Sequence, residues 1–379
     1  MHEFNFLQSL FDHSPGDGPF LSIYLNADAN ETGKKDFPKF LKKEFADHIA
    51  VTEINSDKRK SLDSDESLVF SFIDELDPAV KGAAIFACSA EGFFKTFEFS
   101  VAFPKNEFFM FDRPRIFPLA EIVDANPRYA VALADTNSAR IYVVNRGEVV
   151  RNKEIQNTKT NWIETGGWSQ MRFQRHIENF HQQHAKELAA ELAKLVRDDR
   201  TERIILGGDE AVIIPMLREQ LADEVNQRVI AVLPLNVHTV EKDLFAAAEK
   251  AVDEHKLGFD KQRTDYILEH RYEAGAGVAG IEDTLKALLN GEVQELYLNP
   301  DTADLSYNAK EIEQIFREYG KLNENRPPDL SDSGAMMDEL LRFGADTADR
   351  VRFVADPHLL KKHGGAGAIL RFKAQHART

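Results

Sequence analysis

Cysteine is almost missing from this chain. Cys88 is the only one in 379 residues, so no disulfide can form within it. It lies in the apolar run "AAIFACSA" and reads as a small core residue rather than a catalytic thiol. Tryptophan is nearly as scarce: the two present, Trp162 and Trp168, fall in one short polar stretch. Long uncharged apolar runs are lacking, which excludes a membrane-spanning helix as the expected organisation. The opening "MHEFNFLQSL" has no basic-then-apolar layout, so the expected location is the cytoplasm. Positive charge is in deficit, with 47 Lys and Arg against 63 Asp and Glu, a net charge of −16. That balance argues against unspecific adhesion to nucleic acid or anionic membranes, while leaving room for a local RNA-binding patch.

The length exceeds what one hydrophobic core usually serves, so more than one domain is expected. With 43% hydrophobic residues the chain has material for several cores. Residues 1–124 alternate strand and helix signals. "FLSIYLNA" and "GAAIFACSA" suit buried strands, and "FPKFLKKEFADHI" has helical spacing at Phe37, Leu41, Phe45 and Ile49. The phenylalanine-rich "EGFFKTFEFSVAFPKNEFFMF" alternates like two paired strands, and the charged "EINSDKRKSLDSDES" reads as an exposed loop. An α/β sandwich is expected.

Residues 125–260 open with the strands "RYAVALAD", "ARIYVVN" and "EVVRNKEI", separated by short turns that suit a meander. A helix from about Met171 to Val196 follows, then the strand "RIILGG", a helix around Ile213 to Leu221, the strand "VIAVLPL" and a helix from about Val240 to His255. This order predicts a mixed sheet flanked by helices. "GGDEA" at Gly207 shares letters with a nucleotide-cyclase signature, but a strand turning into a helix accounts for it. Residues 261–379 are again α/β, with Ile281, Leu285, Leu288 and Leu289 on one helical face and Gly291 ending that helix.

Three candidate chemistries arise. Gly275, Gly277 and Gly280 match G-x-G-x-x-G before a helix, but the preceding "DYILEHRYEA" has no strand alternation, so no dinucleotide cofactor is expected. His181 and His184 have a chelating spacing, yet no cysteine or carboxylate pair completes a metal set, and His184 falls with Phe173, Ile177, Phe180 and Leu188 on the apolar face of the helix. The opposite face carries Arg172, Arg175, His176, Asn179, Gln183 and Lys186 and contains no acid. Between Arg151 and Glu187, six basic residues face four glutamates, a local excess in an acidic chain. Such a face is either a solvated helix surface or a helix that tracks phosphates, since arginine forks bind phosphate and a neighbouring aromatic can stack on a base.

The stretch "GGWSQMRFQR" resembles the "GGQSxxRFxR" motif of the middle domain of archaeal and eukaryotic class I peptide release factors, with Gly166, Gly167, Ser169, Arg172, Phe173 and Arg175 in matching places. "GIEDTLKALLNGEVQELYL" resembles the start of that family's last domain, and "GGAGAILRF" its closing glycine-rich strand. By this resemblance, the α/β architecture has three domains: an N-terminal α/β sandwich, an RNase H-like middle domain, and a C-terminal domain with the fold of kink-turn-binding ribosomal proteins. The superfamily includes Pelota and a bacterial branch containing the hibernation factor Balon. Its members enter the ribosomal A site, point the middle-domain loop toward the peptidyl transferase centre, and often act with a translational GTPase, in bacteria elongation factor Tu.

Two departures matter. The catalytic glutamine of the family is Trp168 here, and Gln170 lies two positions late. That glutamine positions a water, a task in which about 1 Å counts, and an indole has neither its polarity nor its size. The first segment also carries no stop-codon-reading motif. The expectation is a ribosome-binding factor of hibernation, rescue or stress response that lacks ordinary termination, with no catalytic residue, cofactor or metal, and with Trp162, Gly166, Gly167, Trp168, Ser169, Gln170, Arg172, Arg175, His176 and Lys186 meeting ribosomal RNA. The alternatives are a peptidyl-tRNA hydrolase or tRNA-cleaving enzyme using Ser169, Gln170 or Arg172, and an RNA-binding module acting away from ribosomes.

Overall fold

The computed structural model describes residues 7–13, 16, 18–29, 33–51, 56–156, 169–199, 201–271, 275–302, 305, 307–320 and 328–372. The chain forms two compact units, residues 1–125 together with 259–379, and residues 126–258. Three separate sheets are present, and the class is mixed α/β as the alternation of signals predicts.

In the first unit a short helix α1 (Gln8–Phe11) precedes strand β1 (Phe20–Asn26), helices α2 (Phe37–Val51) and α3 (Ser56–Glu75), and strands β2 (Gly82–Cys88), β3 (Phe93–Phe99) and β4 (Glu107–Phe111). The strands form an antiparallel sheet in the order β3-β2-β1-β4. β1 and β2 are apolar on both faces because both faces are covered. Leu21, Ile23 and Leu25 pack with Phe37, Leu41, Phe45, Leu62 and Val69 of α2 and α3, while Phe20, Tyr24, Phe86 and Cys88 face a second core. β3 and β4 do not pair with each other, contrary to the expectation from their phenylalanine-rich alternation. Each takes one edge of the sheet, because β1 and β2 are the strands buried enough to occupy its centre.

The predicted loop "EINSDKRKSLDSDES" is corrected: from Ser56 onward it belongs to α3, twenty residues long. Its inner face holds polar residues that are buried with partners. Ser61 Oγ accepts from the Ala90 amide at 2.8 Å, and Asp65 Oδ1 accepts from the Ser89 amide and hydroxyl at 2.8 and 2.5 Å. These bonds offset the cost of burying Ser61 and Asp65 and mask the helical period in the sequence.

Helix α4 (Phe117–Ala125) closes the first stretch. The second unit then begins with the meander β5 (Tyr129–Ala134), β6 (Ser138–Asn145) and β7 (Glu148–Gln156), followed by α5 (Ser169–Asp198), β8 (Arg203–Gly208), α6 (Ile213–Gln220), α7 (Asp223–Asn226), β9 (Val229–Leu233) and the first part of α8 (Glu241–His270). The sheet order is β7-β6-β5-β8-β9, with β5, β8 and β9 mutually parallel. Alternate residues of β5 face opposite cores: Ala130, Ala132 and Ala134 meet α5 and α6, while Tyr129, Val131 and Leu133 meet α8. The "GGDEA" letters are a strand end. Gly208 has φ of +137°, and a Cβ there would lie 1.8 Å from the Ala134 carbonyl oxygen, after which Asp209 Oδ1 accepts the amides of Ala211 and Val212 ahead of α6.

α8 runs some fifteen residues beyond the predicted end, into the first unit, where β10 (Gly277–Ala279), α9 (Ile281–Leu289), β11 (Val293–Leu298), α10 (Ala309–Glu318), α11 (Ser333–Thr347), β12 (Arg350–Phe353), α12 (His358–Lys361) and β13 (Ala366–Leu370) follow. The sheet order is β10-β13-β11-β12. The glycine-rich run is strand β10 itself, and Gly277 is required because a Cβ there would lie 2.7 Å from the Ile267 carbonyl oxygen of α8. Close packing of backbone against backbone explains Gly277, and the positive φ of Gly275 (+61°) and Gly280 (+113°) explains the other two, without a dinucleotide.

One extended cluster links α4 to this second sheet. Asp338 of α11 accepts the amides of Ile116 and Phe117 at 2.8 and 2.7 Å, capping α4, and Asp124 accepts the amide of Phe353 at 3.0 Å.

Candidate functional site

The site indicated by sequence centres on α5. Its thirty residues span about 45 Å. The helix is amphipathic over its second half: His184, Ala185, Leu188, Ala189, Leu192, Leu195 and Val196 are buried on the sheet. Toward the N-terminus that cover thins, and Ile177, Phe180 and His181 are only half-buried.

Trp162, Gly166, Gly167 and Trp168 lie outside the described residues. Ser169, Gln170, Arg172 and His176 belong to the first turns of α5, which begins at Ser169, immediately after the tryptophan. Arg175, Asn179, Gln183 and Lys186 are exposed, in keeping with the polar face read from the helical wheel. His184 is fully buried on the opposite side, and His181 stands edge-on to Phe180 with ring centroids 6.4 Å apart. Among the described residues no group of three or more His, Cys, Asp or Glu could hold a metal ion.

The basic excess counted along the sequence is smaller in three dimensions. Lys153 on β7 pairs with Glu191 of α5 at 2.7 Å, Lys194 reaches the same carboxyl at 2.7 Å, and Arg151 pairs with Asp199 at 2.7 Å. Hydrogen bonds from Lys153 and Lys194 hold the Glu191 carboxyl below its usual range. Glu178 and Glu187 are also exposed on α5 beside the basic face. Arg175 and Lys186 make no ion pair among the described residues, so their charges face solvent. Such a surface can meet phosphate oxygens, and the described part of it holds no nucleophile–base pair.

The sequence reading missed three other arginines of this unit, Arg128, Arg203 and Arg228. A signal for them exists: each stands directly before or at the start of an apolar run, in "RYAVALA", "RIILGG" and "RVIAVL". Only the parallel register shows that the three runs begin side by side.

Comparison with known proteins bears on this unit. Residues 114–256 match the family described as "Bacterial archaeo-eukaryotic release factor family 10". That segment is release-factor-like. It holds the meander, all of α5 and the parallel strands, and so contains the "GGWSQMRFQR" motif in full. Among solved structures, the chain is similar to an archaeal translation termination factor, aRF1, at 17% identity over 98% of this chain and 97% of that one, with a TM-score of 0.25. It is similar to Archaeoglobus fulgidus Pelota at 14% identity over 78% and 80%, with a TM-score of 0.31. It is also similar to S. cerevisiae Dom34, described as a translation termination-like factor, at 12% identity over 78% and 83%, with a TM-score of 0.42. No curated protein matches the chain. No helix among the described residues is long and apolar enough to cross a membrane.

Proposed function

We propose that the protein is a ribosome-binding translation factor of release-factor type. It occupies the A site with the loop Gly166-Gly167-Trp168 toward the peptidyl transferase centre, and acts in ribosome hibernation or rescue of stalled ribosomes without stop-codon-dependent release. The family match over residues 114–256 carries this reading, because it covers the loop and the helix that presents it. The strand order β7-β6-β5-β8-β9 supports an RNase H-like middle domain within 125–260, between an N-terminal part to residue 124 and a partner-binding part from 261. By the resemblance of the last part, a translational GTPase such as elongation factor Tu delivers the factor.

The residue at position 168 decides between docking and chemistry. The glycine pair allows backbone to approach RNA, and the amide of residue 168 survives whatever its side chain. Replacing glutamine by tryptophan removes the group that would place a water and supplies a ring that can stack on a base, worth about 1–3 kcal/mol. Because both tryptophans lie in this loop, the protein's own tryptophan emission, excited apart from its tyrosines, reports on it alone. Adding ribosomes should shift that fluorescence, Trp168→Ala should weaken co-sedimentation with ribosomes, and peptidyl-tRNA on those ribosomes should persist. Rapid catalytic loss of peptidyl-tRNA with the wild-type protein would replace this reading by the hydrolase.

A further inference from the structure

In the first unit, α4 and the residues just before it are held from two sides. On one side lies β1: the Arg115 amide donates to Ser22 Oγ at 3.0 Å, and the Tyr24 hydroxyl donates to the Arg115 carbonyl. On the other lie α11 and the turn ahead of it. Asp338 accepts the amides of Ile116 and Phe117, and the Arg115 guanidinium reaches Asp329, Asp332 and Asp338. The Phe117 ring meets Phe353 of β12 at 5.0 Å. This stretch therefore joins the sheet β3-β2-β1-β4 to the sheet β10-β13-β11-β12 within one unit.

The charges at the joint do not balance. Arg113, Arg115 and Arg342 lie among Asp112, Asp329, Asp332, Asp338 and Glu339, three cations against five acids. Glu107 of β4, a further acid acting on Tyr24, is paired with Lys105 at 2.8 Å. Burial pushes the Tyr24 and Tyr307 hydroxyls up, so both keep their protons and bring no charge. Arg115 serves three carboxylates, and Asp338 is the one it holds least closely, at 3.6 Å. Oδ1 of Asp338 takes both α4 amides, whereas Oδ2 makes no hydrogen bond among the described residues. Where buried acids outnumber cations, a proton on one carboxyl relieves the excess, and the idle oxygen of Asp338 is the place for it.

We propose that this joint is a proton-operated clasp: a proton on Asp338 holds residues 115–123 against α11, and its loss lets that segment lift locally. With the proton on Oδ2, Oδ1 still accepts the amides of Ile116 and Phe117. Without it, the added negative charge has no cation of its own. Acid therefore closes the clasp and alkali loosens it. Burial raises the Asp338 carboxyl to about 7, so the change falls at neutral pH. The clasp is independent of whether the protein meets ribosomes.

Hydrogen exchange on the full chain tests this, read as protection of amides 116–123 at pH 6 and pH 8 after correction for the intrinsic chemical rate. A group that titrates near 7 when closed and near 3.8 when open makes opening about tenfold more frequent at pH 8. Amides of β2 serve as the reference and should change less, because local opening precedes global unfolding. Asp338→Asn, neutral at both pH values and still able to accept the α4 amides, should abolish the pH dependence. Should that variant fail to fold, the carboxyl carbon resonance of Asp338 in the wild type takes its place: a titration midpoint above about 6 supports the clasp, and one below it overturns it. Equal protection at both pH values in the wild type, or the same pH dependence in Asp338→Asn, also overturns the proposal. So does loss of protection in β2 in step with residues 116–123, since the unit would then be opening as a whole.

Discussion

Two groups of arginines in this protein obey the same electrostatics and arrive at opposite designs. In the first unit, Arg113, Arg115 and Arg342 lie among Asp112, Asp329, Asp332, Asp338 and Glu339. Acids are in excess there, and the centre is sealed: Arg113 and Arg115 are almost fully buried and Glu339 is 3% exposed. In the second unit Arg128, Arg151 and Arg228 each reach a carboxylate as well, but they stay partly open, with Arg151 half-exposed and Arg128 and Arg228 each about one-third exposed. A sealed excess of acid must be relieved by a proton, whereas an open pair is screened by water and salt. Burial pushes the Asp338 carboxyl up to about 7, although Arg115 and the two capping amides act to lower it. The sealed group is therefore a structural joint, and the open pairs hold their elements only weakly.

The largest effect should come from breaking the joint. Arg115 Nη2 lies 2.9 Å from Asp332 and 3.5 Å from Asp329, Nη1 lies 3.6 Å from Asp338, and the guanidinium covers the Phe111 ring at 4.1 Å. Its backbone is held as well, the amide donating to Ser22 Oγ and the carbonyl accepting from the Tyr24 hydroxyl. Arg115→Met should cost about 3–5 kcal/mol, because it leaves buried carboxylates without their cation. Urea unfolding measures this. Arg115→Lys should recover only part of the loss, since one ammonium cannot reach three carboxylates in the same geometry. A loss below about 1 kcal/mol would show that the cluster is not what joins α4 and α11.

A smaller effect should appear in the pH dependence of stability. The folded pKa of Asp338 lies above its ordinary value of 3.8, so between about 4 and 7 the folded state binds the extra proton. Its contribution therefore falls as pH rises through that window, with a slope of at most about 1.4 kcal/mol per pH unit. Asp338→Asn should flatten the slope while keeping an oxygen for the amides of Ile116 and Phe117. Asp65, pushed up to about 6 by burial, should add a weaker trend of the same sign between about 4 and 6, which Asp65→Asn removes. A stability profile that keeps its slope in both variants would assign it to other groups.

How much of this was legible from sequence depended on whether neighbours in space were also neighbours in pattern. The meander and parallel strands of the middle sheet were readable because "RYAVALAD", "ARIYVVN" and "RIILGG" are apolar runs that each bury their own length. The exposed Arg175 and Lys186 and the buried His184 followed from a helical wheel, since one helix sets all three. α3 was unreadable because its inner face includes Ser61 and Asp65, whose partners Ala90 and Ser89 come from a different element. Both arginine groups were invisible for a related reason. Arg115 and Asp338 are 223 positions apart in the numbering, and Arg128 and Arg151 meet the same Asp199 only through the fold.

The smallest expected effect sharpens the comparison from the open side. If pairs around α5 were as structural as those around Arg115, removing one would destabilise the fold. Lys153 and Lys194 share the Glu191 carboxyl, both at 2.7 Å, but the two ammonium groups are about half-exposed. Exposed pairs of this kind are screened by salt and must order long side chains, so each is worth about 0–1 kcal/mol. Lys153→Gln should therefore shift the urea midpoint barely at all, and less still in high salt, because Lys194 continues to hold Glu191. A cost above about 2 kcal/mol would mean that the basic residues along this helix are committed to holding the fold. A near-zero cost shows that this pair, unlike the sealed group around Arg115, carries no structural duty.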